Sequence, residues 1–240
     1  MQVQVTARSG SDFKEGIQAG TSIAIGYFPI ALTFGLLAKS SGLSFGEAVL
    51  MSILVYAGAS QYTALNLLSL GTGVIGIIVA TFILNIRHLL MATTIQLKSA
   101  DEPLWKKLIY SFGITDETFS VASFKKGKIT AGYMLGLGGI AYVSWVLCTG
   151  IGYLFGASLP KGIQESMSIA LYAMFIALLM PALAKSRKIL FLASIGAILN
   201  TLLSVTGLLS TGWSIITATL LSAFLVEWIY TANDKRRASK

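Results

Sequence analysis

The sequence predicts an all-α polytopic membrane protein with about seven transmembrane helices, the first two of them discontinuous. Three observations carry this reading. Only 28 of the 240 residues are charged, or 12%, about half the roughly 25% of an ordinary soluble domain. The charges leave uncharged windows at 16–38, 48–86, 129–160, 166–184 and 189–226, each long enough for at least one crossing of about 20 apolar residues. The net charge of +8 is carried by Lys and Arg in short connections and the tail, where it signals orientation and contact with anionic lipid. A soluble enzyme, a nucleic-acid-binding domain, a disordered chain and a secreted disulfide scaffold are excluded as main readings.

Residues 1–15 form a polar N-terminal segment without the basic start, apolar run and small-residue cleavage site of a signal peptide, so the first apolar segment is expected to be kept. A single transmembrane transport domain is expected over 16–230, followed by a basic cytoplasmic tail at 231–240. The windows of 39 and 38 residues are too long for one helix each and contain Gly71-Thr72-Gly73 and Ser210-Thr211-Gly212. Turns there divide the chain into spans near 16–39, 46–70, 74–97, 130–157, 163–184, 188–209 and 212–230. Pro181 is expected to kink or end the fifth.

With seven spans and a cytoplasmic C-terminus, 14 Lys and Arg lie inside and only Arg8, Lys14 and Lys161 outside, with Arg87 in the membrane. An eighth span over 108–124 would be short, contain Asp116 and Glu117, and give a poorer asymmetry. That segment is expected to lie at the interface or to re-enter the bundle.

Several motifs fail on context. Gly71 to Gly76 matches GxGxxG but sits between two apolar helices, where it reads as a hairpin. Gly127-Lys128 is followed by Ile129, so it is no Walker A site, and no HExxH or nucleophile elbow occurs. The single Cys148 permits no internal disulfide, and no Cys/His cluster has metal-ligand spacing; no metal or cofactor is expected. The pairs Gly16/Gly20, Gly132/Gly136 and Gly152/Gly156 read as small faces for close helix packing in lipid.

The third span holds the informative charges. Arg87 is its fourteenth residue, far from either end, where a charge costs at least about 2.5–3.5 kcal/mol on insertion scales. Thr81, Asn85 and His88 share one face at i, i+4 and i+7, with Arg87 turned about 100° from His88. Arg87 could attract a carboxylate, and His88, the chain's one histidine, titrates near neutral pH. Breaks are expected in the two preceding spans. Gly26-Tyr27-Phe28-Pro29 interrupts the first because Pro29 has no N–H, and Tyr56-Ala57-Gly58-Ala59-Ser60-Gln61-Tyr62 is a small, polar stretch in the second. Broken helices offer N–H and C=O groups at mid-membrane, and their N-termini attract substrate carboxylates. Together these features suggest a site for a small zwitterion. Asp116 and Glu117, after Gly113-Ile114-Thr115, read as the acidic first turn of a capped helix, with a gate or proton-handling carboxylate as the alternative. Glu47 and Glu227 read as interfacial.

At these residues the sequence resembles the AzlC family, including its BrnF-type members, the large membrane subunit of bacterial branched-chain amino acid exporters. The stretches that carry the resemblance are Gly26 to Ala31, Phe34 to Ala38, Ala57 to Tyr62, Leu84 to Leu90, Thr115 to Phe119 and Met174 to Leu179. The resemblance implies export of valine, leucine and isoleucine, with methionine as a further candidate, across the bacterial cytoplasmic (inner) membrane. It also implies a separately encoded, small AzlD-type membrane subunit as partner. No ATPase or nucleic acid is expected as a partner, and no enzymatic activity. On this reading Arg87, or a broken-helix N-terminus near Ser60 and Gln61, holds the carboxylate, and Asn85 with backbone carbonyls holds the ammonium. Phe28, Tyr56 and Tyr62 form the apolar pocket, and His88 or Asp116 carries a proton in antiport. The competing readings are an uncoupled permease for another small metabolite and a non-transporting membrane scaffold.

Overall fold

The computed structural model describes residues 9–163, 186–207 and 211–238 and, between them, 165, 166, 169, 176, 179, 180, 183, 184 and 209. Over these residues the protein is an all-α polytopic membrane protein. Its helices are α1 (Ser9–Ser40), α2 (Phe45–Leu54), α3 (Gly58–Ser69), α4 (Val74–Lys98), α5 (Leu104–Ser111), α6 (Asp116–Phe124), α7 (Ala131–Phe155), α8 (Arg187–Thr206) and α9 (Thr211–Ala238), with a 3₁₀ turn at Gly156–Ser158. Five segments are long and apolar enough to cross a membrane: Asp12–Ser40, Val74–Lys98, Ala131–Ser158, Arg187–Thr206 and Trp213–Thr231. Most of the expected fifth span, 163–184, including Pro181 and much of the Met174 to Leu179 stretch, lies outside the described residues, as does Ser210 of the second expected turn.

The second expected span is broken into α2 and α3, as the Tyr56 to Tyr62 stretch suggested. The first is not. Helix α1 runs unbroken through Pro29 for 32 residues, which corrects the expectation of a discontinuous first span. The missing N–H removes one bond of the ladder without ending it, as transmembrane helices allow when neighbours re-satisfy freed groups. The acceptor that Pro29 leaves free is the Ile25 carbonyl, and one residue before it the Ala24 carbonyl accepts from the Ser144 hydroxyl of α7 at 2.7 Å. Segment 108–124 is no span: it holds the second half of α5, which has 8 residues, and all of α6, which has 9.

The chain divides into two compact units, residues 1–62 with 84–168 and residues 63–83 with 169–240. The first is built on the crossing of α1 and α7. Its buried faces are apolar, Ile23, Ile30, Ala31 and Phe34 on α1 and Met134, Leu137, Ala141 and Trp145 on α7. Lipid tails are as apolar as these side chains, so close packing must hold the pair. A methyl group added at Gly16, Gly35, Gly136 or Gly152 would overlap a backbone oxygen of the opposite helix. Charges fasten one end: Lys125 pairs with Glu15 and lies over the Tyr133 ring, while Thr130 donates to Asp12 at 2.9 Å.

Helix α6 packs against both α1 and α7. Thr115 caps it by accepting from the Thr118 N–H, while the Thr118 hydroxyl accepts from the Thr115 N–H at 2.7 Å. This capping fixes the direction in which Asp116 and Glu117 leave the first turn.

In the second unit, Leu67, Ala80 and Ile216 form a small core with Ile77, Val79 and Ile83. Gly71, at φ 69°, makes the turn between α3 and α4, and α8 packs on α9, with Lys188 paired to Glu227.

Candidate functional site

The break between α2 and α3 is the most unusual backbone feature of the first unit. Tyr56 has φ 40°, the one described non-glycine residue in the left-handed region, a conformation costing about 1–2 kcal/mol for an L residue. Its ring is held between Tyr142 at 5.0 Å and Phe112 at 6.0 Å, which themselves meet at 5.8 Å. The Tyr142 hydroxyl donates to the Ile53 carbonyl at 3.0 Å, satisfying a group in the last turn of α2. On the other side of the break, the first backbone bond of α3 runs from the Gln61 N–H to the Ala57 carbonyl at 2.9 Å. The amides of Gly58, Ala59 and Ser60 therefore precede the ladder and form a positive helix end.

Behind that end lies a closed polar ring. The Gln61 amide donates to Ser52 at 3.0 Å, Ser52 shares a bond with Thr149 at 2.8 Å, and Thr149 donates to the Trp145 carbonyl at 2.9 Å. The Trp145 indole N–H donates back to the Gln61 oxygen at 3.0 Å. With Gln61 0% exposed, these bonds satisfy groups that would be costly to bury alone.

Helix α4 brings polar groups against the break. The Ser60 hydroxyl donates to the Asn85 oxygen at 2.6 Å. Two residues along, Arg87 Nη2 lies 2.9 Å from Asp116 Oδ2, with side-chain exposures of 39% and 26%. Arg87 Nε is buried without a hydrogen-bond partner. His88 is partly buried and feels the charges of Arg87, Asp116 and Glu117. From α1, the Tyr27 hydroxyl donates to Glu117 Oε2 at 2.6 Å and shares a bond with the Thr115 hydroxyl at 2.9 Å. The Tyr56 hydroxyl lies near the Tyr27 hydroxyl and feels the charge of the Glu117 carboxylate, but it makes no hydrogen bond of ordinary geometry. A shallow depression of about 120 Å³ lies against Phe112 and Tyr142, with Ile109, Gly113, Met134 and Gly138; Tyr56 itself does not line it.

Comparison with known proteins decides the family. The family model described as AzlC protein matches residues 22–159, a stretch that takes in each of the residues just described. The chain belongs to the AzlC family. It is 33% identical to an uncharacterized membrane protein of Archaeoglobus fulgidus, over 90% of this chain and 94% of the relative. It is 28% identical to the inner membrane protein YgaZ of Escherichia coli, over 83% and 85% of the two chains. The branched-chain amino acid transport protein AzlC of Bacillus subtilis is 25% identical, over 73% and 70%. No solved structure matches.

In this AzlC-family chain the residues singled out from sequence divide into three groups. Ser60 and Asn85 meet across the break, and Arg87, His88 and Asp116 meet beside it. Gln61 and Tyr62 are buried and engaged, Gln61 in the closed ring and Tyr62 between the Ile30 carbonyl and the Phe34 ring, whose centroid is 5.5 Å away. Phe28 stands apart. It is 53% exposed on α1, because a continuous helix puts it about 100° from its buried neighbour Tyr27. Sequence reasoning passed over Phe112, Tyr142 and Trp145, named Tyr27 only as part of the expected first break, and weighed Glu117 only together with Asp116. For Trp145 a signal existed, since an indole N–H in an apolar window needs a partner. The other residues acquire significance only through contacts distant in sequence.

Proposed function

We propose that this chain is the large subunit of a secondary transporter. It exports valine, leucine and isoleucine, with methionine as a further candidate, across the bacterial cytoplasmic membrane in exchange for protons. A small AzlD-type membrane subunit works with it, and the C-terminus is cytoplasmic. The observation that carries this reading is the break at Tyr56 and Ala57, set against a membrane helix bearing Asn85, Arg87 and His88. The relative named as a branched-chain amino acid transport protein supplies the substrate class.

In the proposed site the substrate carboxylate sits at the N-terminus of α3, near Ser60 and Gln61, where unpaired amides and the helix dipole favour an anion. That place is preferred over Arg87, whose guanidinium is engaged by Asp116. Asn85 lines the site beside Ser60. The aliphatic side chain lies against Tyr56 and the Phe112 and Tyr142 rings packed on it, with Tyr62 behind the break. His88 or Asp116 carries the proton.

The test is transport in proteoliposomes containing the chain and its small subunit. Labelled leucine should move when an inward proton gradient is imposed and slow when that gradient is collapsed. Leucine flux that ignores the gradient would point to an uncoupled permease, and no flux of any amino acid would overturn the reading.

A further inference from the structure

We infer that Glu117 is the seat of the substrate's primary ammonium group, shared with the hydroxyls of Tyr27 and Tyr56. The inference rests on the transport reading above and assigns a residue to the half of the zwitterion for which Asn85 is poorly suited, since its oxygen already accepts from Ser60.

The argument begins with charge. The groups that face one another here are Tyr27 from α1, Tyr56 at the break, Arg87 and His88 from α4, Asp116 and Glu117 from α6, and Tyr142 from α7. Among the described residues Arg87 pairs with Asp116, while Glu117 has no cationic partner. With neutral His88 and neutral tyrosines the cluster carries one uncompensated negative charge. An ionisable group within a membrane bundle is expensive to leave so, and such groups are characteristically found with a partner or on a substrate path.

Hydrogen bonding then narrows the partner. Tyr27 occupies one Glu117 oxygen. The Tyr56 hydroxyl, on a residue only 3% exposed, lies near Tyr27 and Glu117 but makes no hydrogen bond of ordinary geometry. The backbone strain at Tyr56 makes the orphan more telling, because phenylalanine would fill the same aromatic pocket without a buried, unsatisfied hydroxyl. An ammonium group resolves both deficits: it carries one positive charge, and its three N–H groups can donate to the carboxylate and to the tyrosine oxygen. The cluster thus accepts one positive charge at a time. A proton taken up by His88 supplies the same charge as the ammonium, so the two occupants exclude each other, as exchange requires.

The test uses the full chain with its small subunit in lipid nanodiscs and three probes: leucine, 3-methylbutylamine (ammonium without carboxylate) and 4-methylpentanoate (carboxylate without ammonium). Glu117→Gln keeps an acceptor for Tyr27 and removes the charge. It should weaken leucine and amine binding by about tenfold or more, the worth of one charge-assisted bond, while leaving 4-methylpentanoate within about twofold. Tyr56→Phe should weaken the amine severalfold without lowering thermal stability. Equal binding of the amine by wild type and E117Q, or loss of all three probes together in a folded E117Q, would overturn the assignment. Amine binding that depends on Glu117 in a chain that neither binds nor moves leucine would keep the cation seat and refute the transport reading.

Discussion

Arg87 and Asp116 sit in a cluster whose net charge makes the two partners unequal, and a double-mutant cycle can measure this. At 2.9 Å and an effective dielectric of about 20, Coulomb's law gives roughly 6 kcal/mol of attraction before desolvation. The side chains retain 39% and 26% of their exposure, so solvent and desolvation remove much of that, leaving an expected coupling of about 1–3 kcal/mol. Removing Arg87 leaves Asp116 beside Glu117 with no cation, a net charge of −2. Removing the charge of Asp116 leaves Arg87 facing Glu117, a net charge of zero. Arg87→Ala should therefore cost about 3 kcal/mol or more, near the lower end of what breaking a buried pair costs. Asp116→Asn should cost only about 1–2 kcal/mol, and the double variant less than the sum. The assay is reversible unfolding in mixed micelles with increasing SDS, with each single and the double variant read by tryptophan fluorescence. Costs that add within about 0.5 kcal/mol, or a larger penalty for Asp116→Asn than for Arg87→Ala, would refute the charge accounting.

Three further outcomes follow from packing. Gly152→Ala drives a methyl group into the Leu32 carbonyl, while Gly139 on the same helix has open space around it; G152A should lose about 2–3 kcal/mol by overpacking and G139A less than about 0.5, in the same SDS assay. Gln61→Ala removes the partner of both Ser52 and Trp145 in the buried ring and should cost about 3 kcal/mol or more; Trp145→Phe should then cost less in that background than in wild type. Cys148 is buried at 6% exposure, so the folded chain should react with a maleimide at least about tenfold more slowly than the SDS-denatured chain, in keeping with the inertness of buried thiols; equal rates would mean that α7 opens readily.

The membrane class was legible because it depends on composition, and a helix of 20 apolar residues needs no partner to be recognised. The break at Tyr56 was legible for a similar local reason: small and polar residues interrupt an apolar run. The expected break at Pro29 failed because proline specifies only a missing donor and a steric conflict. Whether those end the helix depends on neighbours such as Ser144, 120 residues from the Ala24 carbonyl to which its hydroxyl donates. The role of Gln61 was hidden for the same reason. A polar side chain at a helix break looks the same in sequence whether it awaits a ligand or is already bonded to Trp145, 84 residues away. Arg87 was identified as the key charge, but its partner lies in a segment whose short length and acidic pair made its place in the bundle ambiguous.

Tyr56 carries two separate costs, and their coincidence is what gives the break its functional weight. A left-handed backbone would be nearly free for glycine, and a buried ring without a hydroxyl would spare the penalty of an unsatisfied polar group. Structural demand explains the ring, through Phe112 and Tyr142, and explains the bend, through the end of α2 and start of α3. It does not explain the hydroxyl, which contributes nothing to either. Strain of this kind persists where the surroundings over-determine it, and it gathers where ligands bind. The hydroxyl lies near the one carboxylate of the cluster that lacks a cation and close to a helix N-terminus. A break that served only to bend the chain would need neither neighbour.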